Sequence, residues 1–412
     1  MTEQRILIIG LVWPEPTSSA AGTRMVQLIR MFLAQGYGIF FACAAGKSDY
    51  SFDLPGIGVT EISIKLNDPA FAILLREIAP STVLFDRFVI EEQYGWRVQE
   101  ECPTALRILD TEDLHCLRLG RQRGLKETSA TDALTETAKR EIAAILRCDL
   151  SLIISEYEML LLKNEYHIDP ALIYYLPFLE EPLSMQTINS WKSFESREGF
   201  IFIGNFLHEP NWHTVQVLKS EVWPELRKKL PGVALQVYGA YPSQKVMQLH
   251  NTGEKFLVNG RAENARSAME KHRILLAPIK FGAGLKGKFI DAMQTGTPSI
   301  TTTVGAEAMA GELEWPGAFT DDPQDFIAAA VKLYLDRESW QNAQQNGLQI
   351  LKRRYEKHLF VPAFLDKIQE LRAHLIAHRN QNIVGQILQL QTVNSSKYMS
   401  LWITEKNRNK EQ

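Results

Sequence analysis

Residues 273–307, RILLAPIKFGAGLKGKFIDAMQTGTPSITTTVGAE, gather the residue types and spacings best suited to handling a ligand. Gly282, Gly284 and Gly287 permit tight bending and a close approach of backbone to ligand. The helical pattern after them offers N–H groups without intrahelical partners at the positive end of a helix dipole. A diphosphate suits such a place. Lys286 and Lys288 add point charges for it, above all if it departs with growing negative charge. The same string also reads as a turn with two solvated lysines, because such loops are common. Gly282-x-Gly284-x-x-Gly287 satisfies the dinucleotide fingerprint as well, but it lies deep in the second half and holds two lysines foreign to that fingerprint. A nicotinamide oxidoreductase is therefore the weaker reading.

A second group is Asp110-Thr-Glu-Asp113-Leu-His115, directly after an apolar run. Asp113 or His115 could bond a ligand hydroxyl or steer a reacting one. Equally, Asp110 could cap an acidic helix start with His115 packed in the helix. Arg118, Arg121 and Arg123 read first as a solvated face, and otherwise as a site for an acidic acceptor. His208 and His213 flank Pro210-Asn211, where Asn211 suits a helix cap. There is no H-E-x-x-H, D-x-D or G-x-S-x-G string and no cysteine cluster, so the expectations are no metal site, no serine hydrolase and no resident cofactor.

The elements that must position these groups alternate strand and helix. Residues 5–10 read as a buried strand, and Met25, Leu28, Ile29 and Phe32 fall at helical spacing after it. Residues 106–109 and 150–154 are further strands, each followed at once by polar residues, as at the carboxyl ends of parallel strands that face a crevice. The rhythm lapses over residues 180–197 and resumes with strands at 200–203, 233–237, 256–258, 274–277 and 299–301. Two doubly wound α/β domains follow from this pattern. We expect a first domain over 1–180, a linker over 181–197, a second domain over 198–357, a returning segment over 358–378 and an extension over 379–412. Phe364, Ile368, Leu371 and Leu375 make an apolar stripe in the returning segment that needs a surface to cover.

Bulk properties agree with a folded two-domain protein. The chain has 412 residues, 45% hydrophobic and 23% charged, where a domain takes roughly 100–200 residues. A net charge of −3 gives no nucleic-acid footprint. No basic n-region with a cleavage site opens the chain, and no apolar run approaches the ~20 residues of a membrane span. Four scattered cysteines suit a reduced, cytoplasmic setting, with peripheral attachment at the inner face of a membrane left open.

The order and spacing of GAGLKGK, Ala292-Met293, Gly296-Thr-Pro298, Thr302 and Gly305-Ala-Glu307 resemble the donor domain of glycosyltransferase family 4, which has the GT-B fold. Phe202-Ile-Gly204-Asn205 with Pro210-Asn211-Trp212 and Trp223-Pro224 resembles the opening of that domain in a bacterial subgroup. Ser155-Glu156-Tyr-Glu158 and Gly22 with Arg24 resemble parts of the family's first domain, so the likeness covers roughly residues 5–375.

The resemblance implies two Rossmann-like domains facing across a cleft, a C-terminal helix returning to the first, and a nucleoside-diphosphate sugar held between them. It implies transfer to a glycan, lipid-linked sugar or protein acceptor, with retention of configuration and without a metal. The implied catalytic residues are His115, Asp113 and Lys286. The implied donor-binding set is Gly22, Arg24, Gly204, Asn205, Gly239, Arg261, Gly282, Gly284, Lys286, Lys288 and Asp291. Two departures stand out: the family's two glutamates, eight positions apart, are Ala283 and Asp291 here, and its Arg and Lys pair early in the second domain is not evident. A GT-B epimerase or phosphorylase, or a sugar-nucleotide binder without catalysis, remains as an alternative.

Overall fold

The computed structural model describes residues 4–125, 134–390, 399 and 402. Two wholly parallel sheets organise it. The first contains β1 (Arg5–Gly10), β2 (Gly38–Cys43), β3 (Thr60–Ser63), β4 (Thr82–Asp86), β5 (Leu106–Asp110), β6 (Leu150–Ile153) and β7 (Ile173–Tyr175), in the order β3-β2-β1-β4-β5-β6-β7. The second contains β8 (Phe200–Ile203), β9 (Leu235–Tyr238), β10 (Phe256–Gly260), β11 (Ile274–Ala277), β12 (Ser299–Thr301) and β13 (Gly317–Phe319), in the order β10-β9-β8-β11-β12-β13. Central strands are apolar on both faces, as β1 (RILIIG) and β11 (ILLA) show, because helices cover both sides of a parallel sheet.

Strand order reverses between β1 and β4 in one sheet and between β8 and β11 in the other. Ligand crevices open at such points, outside the carboxyl ends of the strands. The sequence puts Asp86 at the end of β4, Gly204 after β8 and the glycine loop after β11.

The chain crosses between the sheets twice, and the crossings are joined. Glu180 N–H donates to Tyr355 O at 2.8 Å and Lys357 N–H donates to Glu180 O at 2.8 Å. Beyond this, the helix Val361–Ala373 lays Phe364, Ile368 and Leu371 into the core of the first sheet, with Leu375 following, beside Ile6, Ile8 and Phe32. The apolar stripe thus meets the first domain. Part of the 379–412 extension lies outside the described residues. The described part docks on the first domain, where Arg379 pairs with buried Asp149 at 2.7 Å and Asn382 donates to Leu146 O at 2.7 Å.

Candidate functional site

A cavity of about 590 Å³ lies between the carboxyl ends of the two sheets, within the size range of organic ligand sites. Asp86, Glu112, Asp113 and His115 line it from one side, and Gly204, Gly239, Arg261 and the glycine loop from the other. Polar contacts close its rim across the domains. Arg121 donates to Glu307 at 2.8 and 2.7 Å and to Gly282 O at 2.8 Å. Tyr241 Oη donates to the Glu15 carboxylate at 2.8 Å, and Arg261 donates to Thr17 Oγ1 at 2.8 Å while lying 4.0 Å over the Tyr50 ring.

The glycine loop reaches the cleft through close approach. Gly284 has φ 61°, and a Cβ there would stand 2.9 Å from Asp113 Cβ; one at Gly287 would stand 2.7 Å from Ala20 Cβ. Any side chain at either position would push the two domains apart. The helix Gly287–Gln294 starts in this gap, with Lys286 at its N-cap. Two N–H groups expected to meet a diphosphate are already used: Gly284 N–H donates to Glu158 Oε1 at 2.9 Å, and Lys286 N–H to Met309 Sδ at 3.4 Å. Gly287 and Lys288 remain, at the first two helical positions, where no intrahelical partner exists.

Both lysines are half-buried and line the cleft, which removes the reading of two solvated side chains. Lys286 Nζ donates to Gly284 O at 2.9 Å. Lys288 Nζ donates to Asn211 Oδ1 at 2.7 Å and sits 4.3 Å over the Phe202 ring. Burial draws Lys286 down to about 8, against the opposing pull of Glu307, and draws Lys288 down to about 7. A phosphate ligand binds the ammonium form and raises both values. Diphosphate affinity is then fullest below the free-state values and falls as pH rises through 7 to 8. Calorimetry with inorganic pyrophosphate between pH 7 and 9, in buffers of different ionisation enthalpy, will show proton uptake on binding and weakening affinity toward pH 9.

On the facing wall, His115 opens the helix His115–Gly124, and the Glu141 carboxylate accepts its N–H at 2.7 Å. Its Nε2 lies 3.5 Å from Asp113 Oδ1, and burial pulls the imidazole down to about 4, so the ring is neutral at pH 7. Burial alone would raise Asp113, but Arg118, His115, His208 and Arg87 together outweigh it and hold the carboxyl below its ordinary value. Asp113 and Arg118 form an ion pair.

Several expected roles change. Arg24 is not a ligand group: at 1% exposure its guanidinium donates to Asp110 at 3.0 and 3.1 Å and to Leu176 O at 2.7 Å, tying β5 to the start of the crossing. The same pair means that Asp110 is not a helix cap. Asn211 does not cap either; His208 holds that position, and the Asn211 amide joins Asn205 O at 2.9 Å to Lys288. Arg118 and Arg121 are engaged in ion pairs rather than forming a solvated face, while Arg123 is exposed.

The rest of the expected set is gathered at the cleft. Gly22 admits the Glu15 backbone, which a Cβ would meet at 2.4 Å. Gly239 admits Gly204 O, which a Cβ would meet at 2.2 Å. Gly204, Asn205, Arg261, Gly282 and Asp291 line the cavity, and Asp291 Oδ1 accepts from Arg266 Nε at 2.8 Å. Glu158 was legible only as part of a polar strand end that resembles the family's first domain, with no role of its own. It is 0% exposed, accepts N–H groups from Leu114 and Gly284, and is pushed up to about 8 by burial and then by the charge of Asp113.

Residues 197–336 match the model of the family described as Glycosyl transferases group 1. Over the whole length, a sucrose-phosphate synthase from Thermosynechococcus elongatus superposes with a TM-score of 0.68 at 14% identity, covering 90% of this chain and 100% of that one. The fold is GT-B. Anabaena HepE, solved with UDP and glucose, superposes on this GT-B chain with a TM-score of 0.65 at 10% identity, covering 89% and 100%. The pneumococcal O-GlcNAc transferase GtfA, solved with UDP and GlcNAc, gives 0.64 at 11% identity, covering 90% and 99%. No curated protein matches the chain in sequence. The residues matched to the family run from just before β8 through the glycine loop and its helix, past β13, to the end of the helix Pro323–Leu335, and so include the lysine-bearing wall of the cleft.

Proposed function

We propose that this protein is a glycosyltransferase that moves a sugar from a nucleoside-diphosphate sugar to an acceptor hydroxyl. The observation that carries the proposal is the pairing of Lys286 and Lys288 with a helix start inside a cleft between two GT-B domains. Charge grows on the diphosphate as its bond to the anomeric carbon breaks, and preorganised cations and N–H groups act most strongly on developing charge in a site from which water is excluded. The acceptor oxygen forms the new bond to the anomeric carbon, the electron pair of the old bond leaves on the diphosphate, and the acceptor proton passes to that phosphate oxygen. Attack on the same face retains configuration. In this reading no metal and no side-chain nucleophile is required, and His115 and Asp113 hold hydroxyls in alignment.

UDP is the first nucleotide to try, since HepE and GtfA were solved with it. No helix among the described residues is long and apolar enough to cross a membrane. We place the activity in the cytoplasm, at the membrane face if the acceptor is lipid-linked, in assembly of a surface glycan.

A sugar-nucleotide binder without turnover is the second reading, favoured by Ala283, which lines the cleft without a carboxylate. Thermal shift against nucleoside diphosphates and their sugars should show stabilisation by one base, because a ligand that binds only the folded state raises its apparent stability. Proton NMR of the preferred donor with an extract-derived acceptor should then show a new glycoside of the donor's anomeric configuration. Binding with neither transfer nor slow donor hydrolysis would favour the second reading. An inverted product would overturn the same-face route.

A further inference from the structure

Charge is divided unevenly between the two walls of the cleft. On the second-domain wall, Lys288 meets an amide and Arg261 meets a hydroxyl and an aromatic ring, and among the described residues neither forms an ion pair. On the first-domain wall every cation is matched: Arg118 pairs with Asp113, and Arg87 Nε lies 3.6 Å from Asp86 Oδ1. Glu112 is left over there, and Asp86, beside Arg87, keeps one oxygen without a hydrogen bond. Asp86 and Asp110 are register partners at the ends of β4 and β5, and Arg24 neutralises only Asp110. Asp86 is 4% exposed; its Oδ2 accepts Leu11 N–H at 3.0 Å, whereas its Oδ1 accepts no hydrogen bond. Glu112 Oε1 is likewise buried and unbonded. Arg87 and Glu112 both hold left-handed backbone, with φ 71° and 61°, which costs energy and fixes these side chains at the cleft.

A buried acceptor atom without a donor is unfavourable until a ligand supplies one. We propose that Asp86 and Glu112 form a recognition site for a neutral, hydroxyl-rich acceptor, such as the non-reducing end of an uncharged glycan, and disfavour phosphorylated or acidic sugars. This rests on the glycosyltransferase reading and adds the acceptor's chemical class to it. Hydroxyls supply the donors that Asp86 Oδ1 and Glu112 Oε1 lack. A phosphate would find no unmatched cation on this wall, because the arginines nearby already have partners, whereas burial pushes the Glu112 carboxyl up to about 8 and leaves it able to donate to a hydroxyl oxygen as well as accept.

The test uses the full chain saturated with UDP. Methyl glucoside and methyl galactoside serve as neutral probes and their 6-phosphates as anionic ones, with binding followed by saturation-transfer NMR. Neutral probes should bind at least tenfold more tightly than their phosphates. Glu112→Ala should weaken neutral-probe binding by roughly tenfold, and Asp86→Asn should narrow the gap between neutral and anionic probes, both with UDP affinity unchanged. Unchanged UDP affinity also shows that each variant is folded. Equal or tighter binding of the phosphates, or neutral-probe binding unaltered in both variants, would overturn the proposal. If UDP binds but no neutral probe does, this inference alone fails; if no nucleoside diphosphate binds the unaltered protein, the glycosyltransferase reading fails first.

Discussion

Replacing Lys286 and Lys288 together by alanine will lower UDP affinity on the order of a hundredfold. Each charged hydrogen bond to phosphate contributes about 1.5–3 kcal/mol, which is tenfold or more in affinity. The two will not be equal. Lys286 has Glu307, Glu158 and Asp113 near enough to act on its charge, whereas the value of Lys288 is set by burial alone. A buried cation without a counter-charge has the most to gain from an anion, so Lys288→Ala should be the more severe single change. Calorimetry on both single variants and the double variant, after circular dichroism shows each is folded, measures this directly. A double variant that binds UDP as tightly as the unaltered protein would remove the diphosphate assignment and most of the case for sugar transfer.

Arg24→Met will destabilise the first domain by about 3–5 kcal/mol, because it leaves Asp110 as a buried charge without its partner. The side chains are 1% and 0% exposed, so water cannot replace the lost pair without opening the core. Set against a typical total of about 5–15 kcal/mol, the loss is large. Urea unfolding followed by tryptophan fluorescence should show an earlier transition, while the remaining folded protein binds UDP normally. The opposite pattern, full stability with lost UDP binding, would return Arg24 to the donor site and contradict its place beneath β5.

Much of the architecture was legible because parallel βα units write themselves locally. Five apolar runs in the second half correspond to β8 to β12, although the run at 233–237 begins two residues ahead of β9 (Leu235–Tyr238). The stripe Phe364, Ile368, Leu371 and Leu375 predicted a covered helix, and the core of the first sheet receives it. Asn211 was misread for a physical reason. Asparagine is a good cap in isolation, but a helix beginning at Glu209 leaves it inside the first turn, where its amide can reach Lys288.

The two-domain α/β plan, the glycine loop with its two lysines, and the polar ends of the strands at Asp110 and Ser155 can be read along the chain. These follow from hydrophobic period and backbone freedom, which act between near neighbours in the chain. Which polar residues serve the cleft and which are spent on holding it together depends on packing between distant parts of the chain. Arg24 and Asp86 are both buried charged residues of the first domain, yet one is consumed by Asp110 and the other, beside Arg87, keeps an oxygen without a hydrogen bond at the cleft. Glu158 and Arg121 gain their roles from Gly284 and Glu307, more than a hundred residues away. Ion pairs and hydrogen bonds act over a few ångströms in space, and no pattern along the chain encodes which distant partners folding will bring within that range.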